Sequence, residues 1–251
     1  MPTDPLAGLL ARPGVAEACE AARQDVDVAL GNRVLRRGGA SRVAAESSVR
    51  GAAAAAWLSG ARISLDDVKA GVPAALADPL VQGALRAYGA LGELADVWGH
   101  ASRQALARLD VLAGADLVDD RERLGTPRGA RHVATRLDTL ADTLAATTAP
   151  AVLLAALVHA EVLSLDAFAP VSGIVARAAA RLVLVERGLD PSAVVVVEVG
   201  QRDHEDRHDA ALARYATGTP EGVADWVVQY ATFVREGATE TLAICQAVQR
   251  G

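Results

Sequence analysis

Acid–base and anion-binding side chains gather in two stretches of this chain. The first runs from His159 through Asp166, Phe168, Pro170, Ser172 and Gly173 to Arg177 and Arg181. Its apolar beginning reads as a buried helix, its middle as a short loop, and Ile174 to Glu186 as a second helix. That layout suits phosphate handling, because a helix N-terminus offers unpaired N–H groups and a partial positive charge. Ser172 is placed to cap the second helix and Gly173 to let a ligand approach closely. Arg177 supplies a cation, with Arg181 one turn further on. The same residues also read as a capped core helix whose arginines pair with carboxylates such as Asp166 or Glu186.

The second stretch is His204-Glu-Asp-Arg-His208. On a helix its two imidazoles share a face and can bind zinc, with Glu205 as general base. The flanks Asp203, Asp206, Arg207 and Asp209 are polar and no third ligand follows, so a solvated helix start is the expectation. His159, on its apolar helix, reads as a core histidine bracing the loop rather than a ligand. Cys19 and Cys245 have no metal spacing and read as free thiols. No Walker or Gly-x-Gly-x-x-Gly sequence occurs.

The elements that must hold these residues are helices. Apolar positions recur at helical spacing over Glu17 to Leu35, Ser41 to Leu58, Ala134 to Ala145, Pro150 to Leu163, His204 to Tyr215 and from Gly222 onwards. Ser64-Leu-Asp-Asp67 has the cap serine and first-turn acids of a helix start. Asp78-Pro79 opens a long helix towards Leu109 or Leu112, with interior glycines that weaken it or admit a close neighbour. Asp116 to Arg131, highly charged and aperiodic, reads as an exposed loop, and Val194 to Val199 as one extended segment.

Of the 251 residues, 51% are hydrophobic but only 3% aromatic, so the core must be Ala, Leu and Val, which suits close-packed helices. A net charge of −6 without a basic stripe argues against a nucleic-acid partner. Ala149 to Val158, the longest apolar helical run, is too short to span a bilayer. Met1 to Pro13 lacks the pattern of a signal peptide, so a cytoplasmic protein is expected.

The His159-Ala-Glu-Val helix, the loop and the following helix resemble the Fic (Fido) family, whose enzymes move AMP or another phosphate-containing group onto protein hydroxyls. There, a His-Ala-Glu-Phe helix leads into His-Pro-Phe-x-Asp/Glu-Gly-Asn-Gly-Arg-x-x-Arg. At that spacing this chain keeps Phe168, Gly173 and Arg177. The similarity extends to Leu184-Val-Glu-Arg-Gly-Leu-Asp-Pro191, to Asp206 through Ala238, and to Glu46-Ser-Ser-Val-Arg-Gly51, which stands where the family has Ser-Ser-x-Ile-Glu-Gly. The resemblance implies an all-α, Fic-like helical bundle with an N-terminal helical extension and a reduced or absent flap hairpin. Residues 1–112 form the N-terminal helical region and residues 113–251 the Fic-like core of one compact domain.

The departures imply lost or rewritten chemistry. Asp166 takes the place of the general-base histidine, and an ordinary Asp titrates near ~3.9, poorly matched to a base at neutral pH. Pro170 replaces the acidic metal-site residue, Ser172 the asparagine and Ile174 the phosphate-gripping arginine. Arg50 stands where the inhibitory glutamate would be. The remnants of an anion or nucleotide pocket are Phe168, Ser172, Gly173 and Arg177, with no catalytic residue assigned, no metal site and no cofactor expected. The chain is expected to lack standard AMP transfer and to act as a binding or regulatory protein. Its partner is then another protein, with a homodimer left open and neither nucleic acid nor membrane involved. The alternative is an altered Fic-type enzyme that transfers or removes a phosphate-containing group on a protein hydroxyl, using nucleotide and Mg²⁺.

Overall fold

A core poor in rings has to bring its helix backbones close together, and that requirement shapes the chain. The computed structural model describes residues 4–129 and 131–250. α1 (Ala7–Leu10) and α2 (Val15–Leu30) are followed by a π-helical segment, Leu35–Gly39, that turns into α3 (Ala40–Leu58). Two short helices, α4 (Leu65–Lys69) and α5 (Pro73–Ala77), lead to α6 (Pro79–Gly89) and α7 (Leu91–Gly114). After a loop with one 3₁₀ turn come α8 (Arg131–Ala146), α9 (Ala151–Ser164) and α10 (Ser172–Glu186). α11 (Val197–Asp203), α12 (Glu205–Ala216) and α13 (Pro220–Arg250) complete the chain. No strand occurs among the described residues, so the all-α expectation holds and no flap hairpin forms over the charged segment.

α9 is the hub. From Ala151 to Val158 it is apolar on every side, and a helical stretch of that kind is stable only when enclosed. α2, α8, α10, α12 and α13 pack around it. α10 is sandwiched between α9 and α7, while α2 runs along α13 and α3 lies on α6 and α11. One core, from Val15 to Ala238, joins the N-terminal helices to the C-terminal ones. Among the described residues no helix is long and apolar enough to cross a membrane.

The sequence predicts one helix from Asp78 to Leu109 or Leu112; the structure has two. Asp78 caps the start, accepting the N–H groups of Leu80 at 2.9 Å and Val81 at 3.1 Å. The rod breaks at Ala90, between the poor helix formers Gly89 and Gly92, and α7 folds back against α6. A Cβ on Gly83 would lie 2.1 Å from the Ala113 carbonyl oxygen, so that glycine lets the two backbones touch. Ser64 caps α4 as expected, accepting the Asp67 N–H at 3.1 Å. Val194 to Val196 is buried without regular structure, and Val197 already starts α11, so the run read as one extended segment to Val199 is a buried loop leading into a helix.

Candidate functional site

The loop between α9 and α10 hangs from a buried ring and a buried hydroxyl. Phe168 is 1% exposed, and its N–H donates to Ser172 Oγ at 2.9 Å. Ser172 is the first residue of α10 and turns its hydroxyl back onto the loop, so it does not cap the helix as its type suggested. Asp166 sits exposed in the left-handed region (φ 46°), a conformation Asp tolerates. Pro170 is exposed and follows a cis peptide bond.

Gly173 does not face open space. A Cβ there would lie 2.8 Å from Arg177 Nη1 and 3.0 Å from Ser59 Oγ. The Arg177 guanidinium folds back over the first turn of α10, donating from Nη1 to the Gly173 carbonyl at 3.0 Å. Its Nε donates to Gln201 Oε1 at 3.0 Å. Arg177 is 3% exposed, and burial draws its guanidinium below the ordinary value. Neither expected carboxylate reaches it: Asp166 is exposed, and Glu186 pairs with Arg187 at 2.9 Å. Ile174 is wholly buried, so the arginine position of the family motif has become core.

Arg181, one turn on, enters a second buried cluster. It donates to Ser47 Oγ at 2.8 Å and to the Ala193 carbonyl, and stacks on the Tyr88 ring with its Cζ 5.7 Å from the centroid. Glu198 Oε2 stands 3.8 Å from Arg181 Nη1, and the Tyr88 hydroxyl donates to Glu198 Oε1 at 2.9 Å. Burial pushes the Tyr88 phenol well up, helped by the adjacent Glu198 charge. Gly51 makes the room: its Cβ would lie 2.7 Å from the Tyr88 ring and 2.8 Å from Arg181 Nη1. The neighbouring Arg50 faces away, bonding Glu46 at 2.8 Å and Glu240, and thereby links α3 to α13.

His208 is not part of a solvated helix start. It is 1% exposed, with its Nε2 3.1 Å from His159 Nε2 and its Nδ1 2.9 Å from Asp209 Oδ1. Gln201 Nε2 lies 3.5 Å from His159 Nδ1. His204, at the N-cap of α12, turns instead to Glu236 at 3.1 Å. The two histidines of the zinc-like pattern therefore serve different partners, and among the described residues no three His, Cys, Asp or Glu converge as metal ligands do.

Glu198 and Gln201 were not legible as site residues, and His208 was read only in the zinc-like pattern of a solvated helix start, yet signals exist. His208, Ala211 and Tyr215 recur on one helical face, and all three are buried. Glu198 and Gln201 follow a valine run at i, i+3 spacing, which places both on the face that α11 turns inward.

The charged segment before α8 is strapped across the loop. Asp110, fully buried on α7, accepts the Gly125 N–H at 2.8 Å and pairs with Arg128 at 3.2 Å. The Arg128 N–H donates to the Ala167 carbonyl at 2.7 Å. Five surface recesses of 250–580 Å³ lie elsewhere, and none is lined by Asp166, Phe168, Ser172, Gly173 or Arg177.

No model of a known protein family matches the sequence, and no curated protein matches it. The structure is similar to the crystal structure of a Fic family protein from Desulfovibrio desulfuricans G20, with a TM-score of 0.74 and 19% identity. The superposition covers 92% of this chain and 74% of that one. The chain thus has the helical fold of a Fic protein, as its loop and flanking helices led us to expect.

Proposed function

We propose that the protein is a Fic-fold binding or regulatory protein that lacks AMP transfer and acts on another protein through its helical surface. The observation that carries this reading is the Arg177 guanidinium lying on the first turn of α10, tied to the Gly173 carbonyl and Gln201. The guanidinium thus commits its Nη1 and Nε donors to a backbone carbonyl and an amide oxygen rather than holding them out to a phosphate. With those donors engaged and Ser172 Oγ turned back to accept the Phe168 N–H, the remnant side chains serve the chain's own contacts. Asp166 is a poor substitute for a general base, and loss of such a base costs roughly 10²–10⁴ in rate. Pro170 brings no metal-ligating side chain to the loop, and the buried Ile174 brings no grip on phosphate.

Thermal-shift titration with ATP, GTP and CDP-choline, each with and without Mg²⁺, tests the reading. A ligand at 100 times its Kd adds about 2.7 kcal/mol of stability, so a site with a Kd of about 10 µM or tighter is visible at millimolar ligand. We expect no saturable shift and no transfer of labelled AMP to protein. A Mg²⁺-dependent, saturable shift accompanied by label transfer would establish the altered-enzyme alternative in its place.

A further inference from the structure

On the solvent side of α7 lies a recess of 580 Å³, the largest in volume of the five described above. The helix is kinked at Ala101 (φ −151°, ψ 62°), and residues on both sides of the kink line the hollow. Val97 and Val111 stand at its rim, 36% and 41% exposed. Few large apolar side chains elsewhere on the protein are as exposed.

The lining has an internal symmetry. Glu93 and Arg108 are equally far in sequence from the break between His100 and Ala101, and so are Leu94 and Ala107, and Val97 and Gln104. When two copies of α7 run antiparallel about a two-fold axis at the break, Glu93 of each meets Arg108 of the other. Leu94, 4% exposed, stays in the core of its own chain, while each rim Val97 enters the hollow of the facing copy opposite Gln104. A two-fold interface demands this kind of self-complementarity, since the same patch serves both sides. Within the chain, the ion pairs of α7 are Arg103 with Asp138 and Asp110 with Arg128. Glu93 and Arg108 have no such partner among the described residues.

We propose that a second copy of this chain docks here, giving a two-fold dimer held by antiparallel α7 helices. The inference does not depend on the nucleotide reading and stands or falls separately. The stripe from Glu93 to Arg108 is about 23 Å long on a helix about 10 Å wide, well short of the ~800 Å² per partner of a standard interface. The dimer is therefore weak, and the charge pairing sets its register more than its strength.

Analytical ultracentrifugation of the full chain, from about 10 µM to about 1 mM where small interfaces associate, provides the test. The wild-type mass is expected to rise with concentration from 25.8 kDa towards twice that value. Glu93→Arg places like charges at both contacts of its own dimer, and so does Arg108→Glu; each alone should stay monomeric. Mixed in equal amounts they restore two opposite-charge contacts, and association should return to the wild-type level. Both residues are exposed, and unchanged melting curves will show that the variants fold. Val97→Lys, which plugs the hollow with a charge, should also abolish association. A wild type monomeric throughout the range would overturn the proposal and leave the recess to a different protein. Single variants that associate like wild type, or a mixture that does not, would overturn it equally.

Discussion

The Nε2 atoms of His159 and His208 lie 3.1 Å apart, so one of them must carry the proton and the other the lone pair. Their neighbours decide which. Arg177 Nε can only donate, so it fixes Gln201 Oε1 as acceptor and turns the Gln201 amide N–H towards His159 Nδ1. His159 then carries its proton on Nε2 and gives it to His208 Nε2. His208 in turn donates from Nδ1 to the exposed Asp209 carboxylate. Every bond in this line points from the buried guanidinium to the surface acid. Trp226, Tyr230 and Phe233 enclose the two imidazoles, with centroid separations of 5.2–6.0 Å within the cluster.

This arrangement predicts acid lability. Burial lowers His208 from its ordinary 6.5 to about 4, with the Arg177 charge adding to the effect. His159 is pushed well down by burial, by His208 and by Arg177. Both folded-state values are depressed, so below pH 6.5 the unfolded chain binds protons that the native protein refuses. Stability is then full above pH 6.5 and falls as the pH drops towards 4. For His208 alone the loss across that window is on the order of 3 kcal/mol. Urea unfolding of wild type and His208→Gln at pH 7, 6, 5 and 4.5 checks this. The variant should show the shallower decline, and equal slopes would dismiss the histidine pair as the cause.

Gly51 and Gly92 predict opposite outcomes for the same substitution. Alanine normally stabilises a helix interior by up to ~1 kcal/mol over glycine. Nothing lies within 4 Å of a Cβ at Gly92, the second residue of α7, so Gly92→Ala should gain a part of that amount. At Gly51 the new methyl meets the Tyr88 ring and the Arg181 guanidinium at under 3 Å, and both are held by Glu198. Overpacking of this kind costs roughly 1–3 kcal/mol and outweighs the propensity gain. Denaturation midpoints of the two variants should therefore move in opposite directions.

Much of the fold was legible because Ala, Leu and Val fall at helical spacing and the caps are explicit, as Ser64 and Asp78 show. The break at Ala90 was not, since a glycine-rich helix and a glycine-rich hairpin have the same periodicity until Gly83 is seen against Ala113. The site was legible in outline only. The motif spacing located Phe168, Ser172, Gly173 and Arg177, but no local pattern tells whether an arginine reaches outward or folds back. That choice was made by Gln201, a residue far along the chain. His208 was misread because its charged neighbours describe one face of α12, while the face packed on α9 and α13 is apolar.

Asp110 predicts how the strap is held. It is fully buried and receives both the Gly125 N–H and Arg128. Burial pushes its carboxyl up, and those two donors pull the other way. Asp110→Ala leaves the donors without an acceptor, at a cost of about 1–3 kcal/mol. The loosened segment should then be cut faster by trypsin after Arg121 and Arg123. Asp110→Asn keeps an acceptor for the Gly125 N–H and should fall between Ala and wild type. Cleavage at an unchanged rate in Asp110→Ala would mean that the strap is anchored by something else.

The last prediction concerns rebuilding the family motif. Asp166 is exposed, so Asp166→His should be tolerated in stability. Ile174 is different, because its side chain is wholly buried between α10 and its neighbours. Ile174→Arg replaces a core aliphatic with an unpaired charge beside two buried arginines, Arg177 and Arg181. An uncompensated buried charge costs about 3–5 kcal/mol, a large share of the ~5–15 kcal/mol that holds a typical domain together. Ile174→Arg, alone or with Asp166→His, should therefore lower the urea midpoint sharply and confer no Mg²⁺-dependent nucleotide binding. A stable double variant that binds Mg-ATP would show instead that the cradle is intact and merely unfurnished, with Arg177 free to swing out of it. The Gly173–Arg177 contact, at which a Cβ would already collide, argues for the first outcome.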